Sequence, residues 1–262
     1  MDSVTEDRLL DGRLRLRQPA RGYRAGLDAA LLAAACDAAD GQRVLEAGCG
    51  PGAALLAAAV RRPGARFTGL EREPEALALA RENVALNALA DRVDVIEGDV
   101  GRRFSHLGLP PFDAALANPP FFDDPAELRP PAPEKAAAWM ADEGLMGWAE
   151  FLLKAVREGG SITVIHRADR LADLLSHLSA KAGSFQVRPI HPFADAPAKR
   201  VLVRAIKTGK APLQLLPPLV LHERGGAKHR PEVEAILRGE ADLPWRVQRP
   251  TRARIPPRGE SP

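Results

Sequence analysis

Residues 44–52 read Val44-Leu45-Glu46-Ala47-Gly48-Cys49-Gly50-Pro51-Gly52. A short apolar run over residues 43–47 enters a glycine turn. The turn leads into an alanine- and leucine-rich stretch, residues 53–61, which Pro63-Gly64 stops. Strand, tight turn and helix in that order form the unit from which open parallel sheets are built. Glycines at Gly48, Gly50 and Gly52 allow the backbone to approach a ligand closely.

Outward from this unit the alternation repeats. Residues 66–70 form the next apolar run, 74–87 a helix with Pro74 in its first turn, and 93–97 and 112–117 two further strands. A proline-rich loop over residues 121–144 follows. Residues 145–157 read as a helix closed by Gly159-Gly160, 161–166 as a strand and 170–182 as a helix. The runs 185–190 and 200–207 have no helix between them, which suggests a hairpin on the sheet edge. Upstream, residues 27–39 read as a helix. Arg13-Leu14-Arg15-Leu16-Arg17 alternates with period two, as in a short strand pair. The pattern predicts an α/β fold whose mostly parallel sheet is linked by crossover helices, without an internal repeat. Residues 1–20 read as an N-terminal leader, 21–210 as the main domain and 211–262 as a C-terminal extension. That extension carries a short helix near residues 231–238 and an end, rich in proline and arginine, expected to be poorly ordered.

Composition narrows the function classes. The net charge of +3 is compatible with a polyanionic partner without demanding one. Its placement says more: Arg246, Arg249, Arg252, Arg254 and Arg258 follow Trp245 with no acidic residue among them. Two isolated cysteines, Cys36 and Cys49, make neither a disulfide framework nor a zinc site, and point to a reducing compartment. His222 and His229 lack acids in register and read as surface residues, so no metal is expected. The polar, acidic start has no signal core and no apolar run is long enough to span a membrane, which points to the cytoplasm.

Three acids accompany the glycine turn. Glu46 precedes it, and Glu71, followed by Arg72, ends the next strand about twenty residues on, where a carboxylate can accept both ribose hydroxyls of a nucleoside cofactor. Asp99 and Val100 follow the third strand, where a carboxylate can accept an adenine amino group and a backbone N–H can pair beside it. The turn is tighter than a pyrophosphate loop, and Glu46 suits an amino group rather than a phosphate neighbour. Cys49, inside the turn, reads as a small residue whose backbone matters. This constellation resembles motif I of the class I methyltransferases, whose cofactor, S-adenosylmethionine, carries no phosphate.

Asn118-Pro119-Pro120-Phe121 follows the strand of residues 112–117 at its carboxyl end, where open α/β sheets place their chemistry. A nitrogen conjugated to a ring or carbonyl is a poor nucleophile. The Asn118 side-chain oxygen and the Pro119 backbone carbonyl would orient its two hydrogens and build charge on it. Proline fixes the turn, and Phe121 offers a face to stack the target. The tetrapeptide resembles motif IV of the amino methyltransferases, which act on adenine N6, cytosine N4, guanine N2 or glutamine amide.

Arg21-Gly22-Tyr23-Arg24-Ala25-Gly26-Leu27-Asp28 looks like the segment before motif I in the bacterial tRNA adenine N6-methyltransferases, which modify a valine tRNA beside its anticodon. Phe121-Phe122 matches their motif IV. The resemblance spans roughly residues 8–207. It implies a Rossmann-like class I methyltransferase with a mostly parallel seven-stranded sheet and an antiparallel edge strand. It also implies S-adenosylmethionine as cofactor, an RNA substrate in the form of tRNA, and no membrane. Tyr23, Arg24 and Asp28 would lie over the cofactor's methionine end or the target pocket. The alternatives are a packed aromatic for Tyr23 and a helix cap for Asp28. An rRNA guanine N2-methyltransferase would usually carry histidine where Phe122 stands. A protein glutamine N5-methyltransferase would carry Asn-Pro-Pro-Tyr and an N-terminal helical domain for which the leader is too short. A non-catalytic RNA-binding protein on this scaffold would not be expected to keep Glu46, Glu71, Asp99 and Asn118 together. Oligomeric state is left open.

Overall fold

The computed structural model describes residues 4–20, 26–120 and 141–246. The chain starts with a hairpin, β1 (Val4–Leu9) and β2 (Leu14–Pro19). It continues through α1 (Leu27–Ala35), β3 (Arg43–Ala47), α2 (Ala53–Arg61), β4 (Arg66–Glu71), α3 (Pro74–Leu86), β5 (Val93–Glu97) and β6 (Phe112–Ala117). Beyond residue 140 come α4 (Ala141–Ala155), β7 (Val156–Arg167), α5 (Leu171–Ser179), β8 (Ala182–His191), β9 (Arg200–Lys207), the two-residue strands β10 (Gln214–Leu215) and β11 (Leu219–Val220), and α6 (Pro231–Arg238).

The seven long strands of the central sheet run in the order β5-β4-β3-β6-β7-β9-β8. All neighbours from β5 to β7 are parallel, whereas β9 is antiparallel to both β7 and β8. The antiparallel strand expected at the edge therefore lies one place inside it. Inserted between β7 and β8, β9 satisfies its backbone on both sides, and β10 and β11 pair with β8 beyond it. These two short strands raise the count from seven to nine.

Strand order reverses between β3 and β6, and open α/β sheets bind their ligands at the carboxyl ends of the strands at such a switch point. Alternate residues face opposite layers: Val44, Ala114 and Leu116 join the cluster of α1, α2 and α3, whereas Leu45, Ala115 and Ala117 join that of α4 and α5. Burial on both faces explains why these strands read as continuous apolar runs rather than alternating ones.

The leader and the extension both enter the first of these layers. Leu14 and Leu16 of β2 are fully buried. Asn83 of α3, itself fully buried, accepts the Arg17 N–H at 2.8 Å and donates to the carbonyls of Arg17 and Pro51. One side chain thus ties the hairpin to the glycine turn. At the other end, Leu243 N–H donates to the Ala34 carbonyl, and the buried Trp245 donates its indole N–H to Ala35 at 2.8 Å. The Arg61 guanidinium bonds the carbonyls of Ile236 and Ala241. The arginines after Arg246 lie outside the described residues. No helix among the described residues is long and apolar enough to cross a membrane.

Candidate active site

The glycine turn sits at the switch point. Gly48 and Gly50 have φ of 65° and 55°, in the left-handed region that a side chain disfavours. They are needed for different reasons. A Cβ on Gly48 would stand 2.5 Å from the Trp148 ring of α4, whereas a Cβ on Gly50 would meet none of the described residues within 4 Å. Gly48 is thus closed over by α4, and Gly50 is uncovered by the described residues.

Glu46 shares a sheet face with Val44 and lies against the first turn of α2, where the Leu55 N–H reaches its carboxyl. It is 3% exposed, and its Oε2 has no hydrogen-bond partner among the described residues. Burial, reinforced by the nearby charge of Glu71, pushes its pKa well above the usual carboxylate range despite the Leu55 N–H. A buried acceptor left over in this way has room for one more donor.

Glu71 ends β4 and is held by backbone alone. It accepts the Gly50 N–H at 2.8 Å on one oxygen, and the Arg72 and Glu73 N–H groups at 2.8 and 2.9 Å on the other. A carboxylate has about four acceptor positions, so room remains for a hydroxyl. Arg72 contributes its N–H, while its side chain bonds Glu73. Asp99, past β5, accepts the Gly101 N–H at 2.8 Å, and Val100 packs on the α4 layer. Glu71 therefore touches the glycine turn through Gly50, and Asp99 and Val100 follow β5 at the same carboxyl rim of the sheet.

Asn118 follows β6 directly. Ala117 is the register partner of Ala47 in β3 and of Val164 in β7, which sets Asn118 level with Gly48. Pro119 is buried and Pro120 exposed. Tyr23, Arg24, Phe121 and Phe122 lie outside the described residues. Asp28 falls inside the first turn of α1, and the capping position is Gly26, so it is not the helix cap considered from sequence. Its carboxylate pairs with Arg200 at 2.9 Å.

Cys49 is a packing residue. Its Sγ lies where a Cβ on Gly69 would stand 2.7 Å away, and burial pushes its thiol well up. Burial likewise pushes Cys36 up to about 11. Among the described residues, no group of three or more His, Cys, Asp or Glu side chains could hold a metal ion.

Two residues at this rim were not singled out from sequence. Trp148 comes from the helix after the 121–140 segment, and no motif spacing announces its contact with Gly48. His166, 3% exposed, is the penultimate residue of β7, two residues past the partner of Ala117. Its Nδ1 accepts the Arg167 N–H at 2.8 Å. Burial, with Arg170, Arg200 and Arg167 nearby, holds its pKa down to about 4. A histidine closing the strand next to the Asn118 strand was the signal available.

A sheet with this strand order, carrying a glycine turn and acids at successive strand ends, defines a nucleoside-cofactor methyltransferase. The chain belongs to the class I S-adenosylmethionine-dependent methyltransferases. The methyltransferase small domain family matches residues 24–137. The tRNA1(Val) (adenine(37)-N6)-methyltransferase of Yersinia enterocolitica is 31% identical over 179 residues, 67% of this chain and 69% of that protein. A release factor glutamine methyltransferase of Chlorobaculum tepidum is 28% identical over 167 residues, 60% of this chain and 56% of that protein. A crystal structure from Agrobacterium tumefaciens, described as a predicted O-methyltransferase, is 28% identical, covers 83% of this chain and 98% of its own, and has a TM-score of 0.68.

Proposed function

We propose that the protein methylates adenine N6 of a tRNA in the cytoplasm. One observation carries the reading: Asn118-Pro119-Pro120 stands at the carboxyl end of β6, level with the glycine turn after β3. The orphaned Glu46 oxygen and the Gly50 side of the turn fit S-adenosylmethionine. In this reading Glu46 takes the α-ammonium of its methionine part, Glu71 the ribose hydroxyls, and Asp99 with the Val100 N–H the adenine. The bound cofactor supplies an electrophilic methyl group on a sulfonium. The Asn118 side-chain oxygen and the Pro119 carbonyl accept the two hydrogens of the target amine. They turn its lone pair out of conjugation, and Phe121 stacks on the base. Catalysis is then mainly positioning. The target base has to be unstacked to reach Asn118. Residues 21–210 carry the methyltransferase motifs, and residues 211–262, whose first part shares their core, carry basic residues toward the phosphates.

The similarity to a tRNA adenine methyltransferase favours this acceptor, and that to a release factor glutamine methyltransferase makes a glutamine amide the second reading. Radiolabelled S-adenosylmethionine is offered to tRNA, rRNA and protein fractions from cells lacking the enzyme. N6-methyladenosine in tRNA is expected. N2-methylguanosine in rRNA, label on a protein amide or label on an oxygen would replace the acceptor. In the same assay Asn118→Ala is expected to lower turnover by about two to three orders of magnitude while leaving the cofactor Kd within about threefold. A folded variant that no longer binds the cofactor would refute the role given to Asn118.

A further inference from the structure

The carboxyl rim of the sheet continues past Asn118. β8 runs parallel to β7, since both are antiparallel to β9, and β11 runs parallel to β8. The segments after His191 and after Val220 therefore emerge on the same side as Asn118. β8 lies three strand spacings from β6, roughly 15 Å along the sheet. There the two segments build a wide-open surface cavity of about 520 Å³ lined by Phe193, His222, Glu223, Arg224, Gly225 and Lys228, among others.

Flat groups lie in and beside its lining. The Phe193 and His222 rings lie 5.6 Å apart and tilted 50° to each other, and His222 stacks on His229, outside the lining, at 5.2 Å. Both histidines are fixed in place, His222 Nδ1 on the Lys228 carbonyl and His229 Nδ1 on the Glu234 carboxylate. The Arg224 guanidinium lies over the Phe193 ring, 4.6 Å from its centre. Asp195 grips it edge-on, taking Nε at 3.1 Å and Nη2 at 3.3 Å. An in-plane grip leaves the two faces of the guanidinium available. One covers Phe193, and the side chain is still 66% exposed. Lys228, also in the lining, is exposed.

We propose that this cavity is a second nucleotide subsite, in which an unpaired base of the RNA substrate stacks on the Arg224–Phe193 platform and its phosphate meets Lys228. The inference rests on the RNA reading above. Nucleobases are flat and stack on guanidinium planes and aromatic rings alike. A cation held over a ring and pinned by a carboxylate is pre-ordered for such a partner, so little side-chain entropy is lost on binding. The subsite would hold the strand a few nucleotides from the base presented to Asn118, fixing its register.

Binding of fluorescein-labelled tRNA and of a labelled single-stranded oligoribonucleotide is measured by anisotropy, beside S-adenosylmethionine binding by calorimetry. Phe193→Leu and Arg224→Ala are each expected to raise the RNA Kd about 5- to 50-fold with cofactor affinity unchanged. Arg224→Lys is expected to recover less than half of the loss in log Kd, because it restores charge without the plane. RNA affinity unchanged in both variants, or full rescue by lysine, overturns the subsite and leaves the RNA reading standing. A wild-type protein that binds neither RNA overturns both. Ultraviolet cross-linking of thiouridine-substituted tRNA to the wild-type protein tests the site without any variant. Adducts within residues 193–228 are expected, and adducts confined to other segments overturn the proposal.

Discussion

Glu46 is buried with a carboxylate oxygen that none of the described residues satisfies, so a neutral side chain of the same shape should hold the fold better. Glu46→Gln is expected to stabilise the cofactor-free protein by about 1–3 kcal/mol at pH 7, read as a rise of several degrees in Tm. The folded pKa is raised above the unfolded one. The penalty is therefore absent below the usual carboxylate range and grows as pH rises towards the folded pKa, and the two proteins should converge at low pH. The same substitution should raise the cofactor Kd at least tenfold (about 1.4 kcal/mol). It should also flatten its pH dependence, since a cationic partner favours the ionised carboxyl and wild-type affinity tightens with rising pH. An equally stable variant with unaltered Kd would remove Glu46 from the cofactor site. Glu46, Glu71, Asp99 and Asn118 could be singled out as candidates because each lies at or just past the carboxyl end of a strand in a repeating unit. Trp148 was not. Its ring meets Gly48 from another layer, and tertiary contacts of that kind leave no periodic trace.

At the level of elements, the parallel half of the sheet could be read from its apolar runs and glycine stops. The boundaries of β3, α2, β5 and β6 coincide with the expected residues. The place of β9 could not be read, because strand order is decided by which edge offers unpaired backbone, not by anything local. β7 begins at Val156, five residues ahead of expectation. Its Gly159-Gly160 pair is taken up in the strand opposite a register shift near Asp113 rather than ending a helix. At the far end of β7, His166 is held neutral with a pKa of about 4. Unfolding frees it to titrate near 6.5. Its contribution is complete above that value and is lost as pH falls towards 4. Wild type should lose up to about 3 kcal/mol relative to His166→Gln between pH 7 and pH 4. Chemical denaturation of both proteins at each pH checks this, and the contribution of Glu46 cancels in the difference. Parallel loss in the two proteins would place the acid sensitivity elsewhere.

Over the whole molecule, the leader and the extension matter more than their composition suggested. Leu14, Leu16, Val233, Ile236, Leu243 and Trp245 all belong to one core with α1 and α2. Their burial depends on partners far away in sequence, so a reading by local pattern set them apart from the main domain. Truncation after Arg246 should leave Tm within a few degrees. By removing Arg249, Arg252, Arg254 and Arg258 it should also weaken RNA binding at low salt and shallow the salt dependence. Truncation after residue 210 should give a protein without a cooperative melt, since removing Trp245 alone is expected to cost about 3–5 kcal/mol. Unchanged RNA affinity in the shorter deletion at low salt would make the basic tail incidental.

The bond from Trp245 to Ala35 spans 210 residues. During synthesis at about 5–20 residues per second, α1 leaves the ribosome roughly 10 to 40 seconds before the indole that seals it. Through that interval its alanine and leucine face is open to chaperones and to neighbouring nascent chains. Closure of this part of the core therefore waits until residues 243–245 have been made, and a chain stopped ahead of them would leave α1 uncovered.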